Sequence, residues 1–241
     1  MTPSAHVIWH DVECGGYTAD LGLWLELARS AGGPVLDVGA GTGRVALPLA
    51  RAGHDVTALD LDAELLAELE RRAAAAEVAV ETVVADAAAF SLPRRFALIA
   101  VPMQTLQLLS GDAARAGFFA SAAAALLPGG LVVAAIAEAL EPFDGSIVLP
   151  DPDTGEAGGL RYISQPVAVR PQGAVVRIER VRETVAPGGE RTTADDVVLL
   201  AGVDADSLAL EAAASGLRAE PPRDIPATDE HVGSTVVLLR G

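Results

Sequence analysis

Short apolar runs alternate with longer helical stretches through the first 140 residues of the chain. The runs predict buried strands, and the stretches between them carry apolar residues at helical spacing. The expected strands are 35–38, 56–59, 80–85, 96–101 and 131–136, and the expected helices are 44–52, 65–73 and 112–127. Pro48 is expected to kink the first helix. Strands that alternate with helices are typical of a doubly wound α/β fold with a mostly parallel sheet.

The pattern changes after residue 138, where strand-like segments follow one another without helices between them. Expected strands at 160–170, 174–185 and 191–200 are separated by Pro-Gln-Gly and Pro-Gly-Gly turns, which indicates an antiparallel β insert. Arg177, Arg180 and Arg182 alternate in part with apolar residues, and we expect them on its solvent face. A helix at 204–215 and a strand at 235–239 follow. The expected units are an N-terminal helical cap (1–33), a core (34–139), a lid insert (140–201) and a C-terminal return to the core (202–241).

The composition excludes several kinds of chemistry. All 17 basic residues are Arg, and the absence of Lys removes Schiff-base chemistry and the phosphate-binding P-loop. A net charge of −16 opposes binding to nucleic acid. The lone Cys14 forms no internal disulfide and no Cys-rich zinc site, so we expect a cytoplasmic protein without a metal. The uncharged stretch 116–137 is broken by Pro-Gly-Gly, and we expect no membrane span.

A glycine-rich turn lies between the first expected strand and the helix after it. The residues are Asp37, Val38, Gly39, Ala40, Gly41, Thr42 and Gly43. Glycines at such a turn let the backbone approach a ligand at the positive end of a helix. A dinucleotide fingerprint would require glycine at position 44, which is Arg44, so binding of NAD or FAD is disfavoured.

Two acidic residues follow the next two strands. Asp60 comes seventeen positions after Gly43, where a carboxylate can accept hydrogen bonds from both ribose hydroxyls. Asp86 follows the third strand, where it can accept a hydrogen bond from an adenine nitrogen. Each of them alone is more often a helix N-cap. In series with the glycine turn, they outline an adenosine site.

From residue 34 to residue 136 the sequence resembles the class I S-adenosylmethionine-dependent methyltransferases. The stretch 35–43 resembles the first motif of that family, and Leu-Pro-Gly-Gly at 127–130 is similar to its usual approach to the fifth strand. The resemblance implies a Rossmann-like sheet of seven strands and S-adenosylmethionine as the cofactor. The cofactor-binding residues that it implies are Tyr17, Asp37, Gly39, Ala40, Gly41, Gly43, Asp60, Leu61, Asp86, Ala87 and Val101.

Two motifs of particular methyltransferase subgroups are absent from this sequence, and their absence narrows the range of expected substrates. Val101-Pro102-Met103-Gln104 replaces the Asn- or Asp-Pro-Pro-aromatic tetrapeptide of many DNA-adenine and protein-glutamine enzymes. Metal-dependent catechol-type relatives use an Asn ligand, and this chain has no Asn. A small-molecule amine or hydroxyl remains, beneath an insert that resembles the lid of small-amine methyltransferases.

Candidate substrate and catalytic residues surround the expected pocket. The substrate candidates are Gln104, Gln107, Arg161, Tyr162 and His231, and the catalytic candidates are His231, Tyr17 and Tyr162. Solvent-facing positions are an equal alternative for the two glutamines. An acidic surface loop around Thr228, Asp229 and Glu230 is an equal alternative for His231. For His6 and His10, a surface arm is the favoured alternative to a segment that folds over the cofactor.

Other functions remain open at this point. A protein of this fold can bind the sulfonium cofactor while it catalyses a cyclisation or rearrangement, or it can be a non-catalytic binding module. A nicotinamide oxidoreductase is the least supported alternative, because Arg44 breaks the fingerprint. The insert can also bury its apolar face against a second copy, which would make a homodimer.

Overall fold

The computed structural model describes residues 3–138, 140–145, 149–228 and 231–241. Within these ranges the strands form a seven-stranded sheet and a separate four-stranded sheet. The larger sheet contains β1 (Val35–Val38), β2 (Val56–Asp60), β3 (Glu81–Val84), β4 (Phe96–Val101), β5 (Leu126–Ile136), β10 (Arg218–Ile225) and β11 (Ser234–Arg240). Their spatial order is β10-β11-β5-β4-β1-β2-β3, with β11 antiparallel to both of its neighbours and the other pairs parallel. The predicted doubly wound, Rossmann-like sheet is confirmed.

Helices cover both faces of this sheet, as the alternating pattern predicted. They are α1 (Ala5–His10), α2 (Leu21–Ala31), α3 (Ala46–Arg51), α4 (Ala63–Ala75), α5 (Thr105–Leu108), α6 (Asp112–Ala125) and α7 (Ala205–Ala213), with a π-helix at Asp11–Gly15. One core layer contains Trp24 and Leu69, and the other contains Phe118 and Leu208. The central strands β1 and β4 are buried along their whole length because both faces are covered.

Pro48 does not kink a helix, contrary to expectation. Helix α3 begins at Ala46, two residues later than predicted, so Pro48 is its third residue. Backbone N–H groups in the first turn have no partner within the helix, and a proline there removes no hydrogen bond. The preceding residues remain in the glycine turn.

The four-stranded sheet is the predicted antiparallel insert, and it is referred to below as the lid. Its strands are β6 (Asp153–Ala157), β7 (Leu160–Gln172), β8 (Val175–Val185) and β9 (Arg191–Ala201), paired in that order. The sequence pattern predicted the last three of these strands and missed β6. It also missed β10, which contains Pro221 and Pro222. The register of β10 against β11 shifts between Glu220 and Arg223, so the two prolines lie at an irregularity of an edge strand.

No helix in the described part of the chain combines the length and the apolar character needed to cross a bilayer.

Candidate cofactor and substrate site

The carboxyl ends of four parallel strands form the edge at which the candidate residues meet. The pairs Val38–Leu59 and Asp60–Val84 place the ends of β1, β2 and β3 side by side, and Val101 ends β4 next to them. Ligands of open α/β sheets bind outside this edge. The glycine turn leaves β1 here, and Gly39, Gly41 and Gly43 have φ values of +71°, +53° and +95°, which favour glycine.

The carboxylate of Asp60 is fixed by two backbone groups. The N–H of Gly41 donates to Oδ2 at 2.8 Å, and the N–H of Asp62 donates to Oδ1 at 2.9 Å. Each carboxylate oxygen can accept a further hydrogen bond. Asp60 is therefore oriented before a ligand arrives, with acceptor capacity left for the hydroxyls of a ribose.

Apolar surface is exposed beside Asp60. Leu61, directly after β2, is 71% exposed, and Val84, the last residue of β3, is 58% exposed. Asp86 is also exposed, and its Oδ1 accepts a hydrogen bond from the N–H of Ala88 at 2.8 Å. Ala87 is half-buried between them. A planar apolar ring with a polar edge fits this surface, because Leu61 offers a face and Asp86 an acceptor.

Asp37 is fully enclosed beneath the glycine turn. Neither of its carboxylate oxygens has a hydrogen-bond partner within the described residues. Burial raises the pKa of Asp37 to about 7, and the guanidinium of Arg44 offsets that rise only in part. Asp37 therefore carries a proton more readily than a surface carboxylate.

The spaces beside the three glycines are filled by protein side chains, which the sequence did not predict. A Cβ on Gly39 would lie 2.4 Å from Cγ2 of Thr105, and one on Gly41 would lie 2.4 Å from the ring of His10. A Cβ on Gly43 would lie 2.9 Å from Leu47 and from Leu69. The absence of a side chain at Gly39 and Gly41 therefore allows Thr105 of α5 and His10 of α1 to pack against the turn. The same glycines give the turn a backbone conformation that a ligand can approach.

Arg44 connects the turn to the N-terminal cap. It forms a bidentate ion pair with the buried Asp20, at 2.6 and 2.8 Å, and it donates to the carbonyl of Tyr17. Its guanidinium also lies 5.3 Å from the centre of the Tyr17 ring. In the sequence, Arg44 stands out only as a break in the dinucleotide fingerprint. The residue instead positions Tyr17 beside the glycine turn.

Tyr17 and His231, from distant parts of the chain, lie in contact. Their ring centres are 4.9 Å apart. Tyr17 is buried, and its pKa is raised by burial and by the nearby carboxylate of Asp20. The phenol therefore stays protonated near neutral pH. Asp229 and Glu230, named with His231 in the sequence analysis, lie outside the described residues.

The π-helix and the residues next to it connect the core to the lid. Glu13 accepts two hydrogen bonds from Arg182 and one from Ser164, all at 2.7 Å. Trp9 lies edge-on to Tyr162 at 5.0 Å between ring centres. The expectation that Arg180 and Arg182 face solvent is wrong, because these arginines form ion pairs on the inner face of the lid.

Comparisons with known proteins agree with this geometry. Residues 35–130 match the family model described as a methyltransferase domain. Among solved structures, DesVI from Streptomyces venezuelae superposes with a TM-score of 0.75 at 23% identity, covering 97% of this chain and 98% of that one. CalS10, an S-adenosylmethionine-bound amino pentose methyltransferase from Micromonospora echinaspora, has a TM-score of 0.74 at 21% identity, covering 100% and 98%. Residues 35–130 thus match the methyltransferase-domain family, and the chain as a whole shares the fold of these solved methyltransferases.

Curated relatives share only segments with this chain. An rRNA adenine N-6-methyltransferase from Corynebacterium diphtheriae is 35% identical over 69 residues, which are 29% of this chain and 26% of that protein. An uncharacterized protein from Mycobacterium tuberculosis, Rv1403c, is 58% identical over 45 residues, which are 19% and 16% of the two chains. The matched segments thus span about a quarter or less of these relatives.

The residues at the carboxyl edge fit S-adenosylmethionine, the cofactor that the sequence resemblance implies. The nucleoside of S-adenosylmethionine has two ribose hydroxyls for Asp60, and an adenine ring for Leu61 and Asp86. Asp60 still has acceptor capacity, and Leu61 is an exposed apolar side chain that a planar ring would cover. No cluster of metal-ligating side chains occurs in the ranges that the structure describes.

The structure corrects two of the predicted substrate contacts. Gln107 is 2% exposed, and its amide bonds the carbonyls of Ala137 and Ala201 and the N–H of Ala137. It therefore ties the end of β9 to the end of β5 and has no donor left for a substrate. Arg161 is exposed and alternates with the buried Tyr162 along β7, so it points away from the inner face of the lid. Gln104 is half-buried at the start of α5 and makes no capping hydrogen bond.

A surface cleft of about 360 Å³ lies at the opposite, amino-terminal edge of the sheet. Its two arginines are already paired, Arg223 with Glu26 and Arg240 with Glu220. The cleft is separate from the candidate site at the carboxyl edge.

Proposed function

We propose that the protein transfers the methyl group of S-adenosylmethionine to an amine of a small, sugar-like molecule. The observation that carries this proposal is the pre-oriented carboxylate of Asp60, held by the N–H of Gly41 at the end of β1 and β2. The lid lies beyond that edge, and the contacts of Glu13 and Gln107 fasten it there. A site of this kind encloses a small acceptor together with a nucleoside.

This arrangement suggests a separate role for each of four segments of the chain. Residues 34–139 would hold the cofactor, and residues 140–201 would cover the substrate. Residues 202–241 complete the sheet, and residues 1–33 cap the cofactor. Asp60 would bind the ribose. The adenine would contact Leu61, Asp86 and Ala87. The turn from Gly39 to Gly43 would contact the methionine part of the cofactor.

When it is bound, the cofactor supplies a methyl group on a positively charged sulfur, which is a good leaving group. The protein then needs to align the acceptor in line with that bond and to exclude water. Tyr17, protonated, can donate a hydrogen bond near the acceptor, and the imidazole of His231 beside it can accept the proton that the amine loses. Gln104 and Tyr162 are the remaining substrate contacts in this proposal.

Two lines of support favour a small sugar amine. CalS10 is an amino pentose methyltransferase and KedS8, from Streptoalloteichus sp ATCC 53650, is a sugar N-methyltransferase. KedS8 superposes with a TM-score of 0.76 at 19% identity over 100% of this chain and 93% of its own, so the lid architecture is shared as well. An RNA substrate is disfavoured because a net charge of −16 repels a phosphate backbone.

The test is a methyl-transfer assay with a matched substrate panel. The protein is incubated with S-adenosylmethionine and amino sugars, and with the corresponding sugars in which a hydroxyl replaces the amine. We expect products heavier by one methylene from the amino sugars alone, with stoichiometric S-adenosylhomocysteine. Conversion without a gain in mass would support a rearrangement instead. Cofactor binding without turnover across the panel would support a non-catalytic module.

We also propose that two copies pair through the outer face of the lid. Val197 and Leu199 on the edge strand β9 are 41% and 45% exposed, and Arg177 and Glu179 lie opposite them on β8. A surface with both charge signs beside apolar residues can complement its own copy across a two-fold axis. Light scattering should give a dimer for the wild type and a monomer for Leu199→Glu.

The free thiol of Cys14 fits a reducing compartment such as the cytoplasm.

A further inference from the structure

His10 lies against the glycine turn, at a position where the sequence favoured a surface arm. It is the last residue of α1, and a Cβ on Gly41 would come within 2.4 Å of both Cε1 and Nε2 of its ring. The N–H of the same Gly41 donates to Oδ2 of Asp60. The imidazole, the turn and the carboxylate proposed to bind ribose are therefore contiguous.

The neighbours of His10 hold it in this place. His6, one turn earlier, pairs with Oδ2 of Asp62 at 2.7 Å. Asp11, the next residue, accepts hydrogen bonds from Thr42 at 2.7 Å and from Arg72. Burial alone would raise the pKa of Asp11, but these bonds and the neighbouring imidazole outweigh it and keep the carboxyl ionised. The end of α1 is thus held by contacts to the glycine turn, through Thr42, and to the segment after β2, through Asp62 and Arg72.

The two nitrogens of His10 have different surroundings. Nδ1 is buried and has no hydrogen-bond partner within the described residues, and the nearest carboxylate oxygen, Oδ1 of Asp11, is 4.0 Å away. That negative charge favours the tautomer with the proton on Nδ1. Nε2 then carries a lone pair at the edge of the ring that faces the turn. The side chain remains 25% exposed, so this edge is not sealed off.

We propose that His10 is a cofactor-contacting residue whose Nε2 accepts a hydrogen bond from a ribose hydroxyl of S-adenosylmethionine. Asp60 and His10 then share the two hydroxyls from opposite sides of Gly41. The inference rests on the proposed function and deepens it, because the motifs of residues 34–136 do not include this N-terminal contact. It also explains why position 41 is glycine, since a larger residue would displace the imidazole.

The experiment is a calorimetric titration with S-adenosylhomocysteine and with analogues of it that lack the 2′- or the 3′-hydroxyl. The protein variants are His10→Phe, which keeps a ring and removes both nitrogens, and His10→Ala. His54→Phe, in the turn before β2, is the matched control. We expect His10→Phe to weaken binding of S-adenosylhomocysteine about 5- to 15-fold. The wild type should bind one of the deoxy analogues about as weakly as His10→Phe binds S-adenosylhomocysteine. That analogue should have the same affinity for the wild type and for His10→Phe.

Three results would overturn the assignment, and they are distinguishable. Unchanged affinity of His10→Phe for S-adenosylhomocysteine, with normal wild-type binding, refutes the contact alone. Tighter binding by His10→Ala means that the imidazole occupies space the cofactor needs. Absence of binding by the wild-type protein at millimolar ligand refutes the proposed function, and this inference with it. Circular dichroism melting of each variant separates a lost contact from a lost fold.

Discussion

Asp60 and Gly41 are joined by a hydrogen bond of 2.8 Å from the backbone N–H of the glycine to Oδ2 of the carboxylate. Nineteen residues separate them, and the parallel pairing of β1 with β2 brings them together. Because the second oxygen is held by the N–H of Asp62, the carboxylate cannot rotate freely. The turn and the acid therefore form one rigid unit at the sheet edge.

The buried carboxyl of Asp37 predicts a pH-dependent stability. Its folded-state pKa of about 7 lies above the unfolded value of 3.8, so its favourable contribution is complete below about pH 4 and is lost as the pH rises through 7. Relative to Asp37→Asn, the wild type should lose about 1.4 kcal/mol of unfolding free energy per pH unit across that window. Urea unfolding of both proteins from pH 4 to pH 8 measures the difference. Parallel stability curves would contradict the raised pKa.

Gln104 and Gln107 should respond differently to the same substitution. Gln107→Ala removes three buried hydrogen bonds to the backbone of Ala137 and Ala201 and should lower the unfolding free energy by about 2–3 kcal/mol. The carbonyl of Ala201 keeps its bond from the N–H of Val203. Gln104→Ala should leave stability unchanged and should lower kcat/KM, because its amide makes no capping hydrogen bond and is proposed to contact substrate. Denaturant unfolding and steady-state kinetics on both variants check the pair. Equal loss of stability would remove the distinction.

The ion pair between Glu13 and Arg182 should hold the lid to the core. Burial alone would raise the pKa of Glu13, but the bonds from Arg182 and Ser164 lower it, so the carboxylate is charged. Glu13→Gln should destabilise the protein by about 1–3 kcal/mol and speed hydrogen exchange in β7 and β8. Glu183→Gln, which breaks a pair with the largely exposed Arg191, is the control and should change stability by less than about 0.5 kcal/mol. Equal exchange in the two variants would contradict a fastening role.

Substitutions of Tyr17 and of His231 should affect kcat and its pH dependence in different ways. Because burial keeps the phenol of Tyr17 protonated, Tyr17→Phe should lower kcat without altering its pH dependence. His231→Gln should lower kcat at pH 7 by about 10- to 100-fold and weaken the dependence on pH, since it removes the proposed proton acceptor. A pH profile of kcat for each variant decides this. A normal profile in His231→Gln would remove His231 from the proposed mechanism.

Much of the core was predictable because local pattern and final burial coincide there. The bounds of β1 and β4 match the prediction, since every residue in them is apolar or enclosed and both faces are covered. The positions of Asp60 and Asp86 at one edge of the sheet were predictable because the carboxyl ends of parallel strands meet there. Strand β10 was missed because its two prolines disfavour a strand anywhere except at an irregular edge.

The contacts made by the N-terminal segment were not predictable from local pattern. His10 meets Gly41 only after α1 crosses the sheet edge, and no spacing rule relates residues so far apart. Gln107 was misassigned for a related reason. Its place after β4 is where substrate contacts are expected, but the end of β9, almost a hundred residues later, takes up its amide.

The most direct test of the account is the affinity of the wild type, Asp60→Ala and Glu64→Gln for S-adenosylhomocysteine. Glu64 is exposed in the first turn of α4, so its variant removes a nearby charge without touching the turn. We predict that the wild type and Glu64→Gln bind alike and that Asp60→Ala binds more weakly by about 1–3 kcal/mol, with its fold intact by circular dichroism. Equal affinity in all three proteins, or no binding by the wild type, would contradict the account.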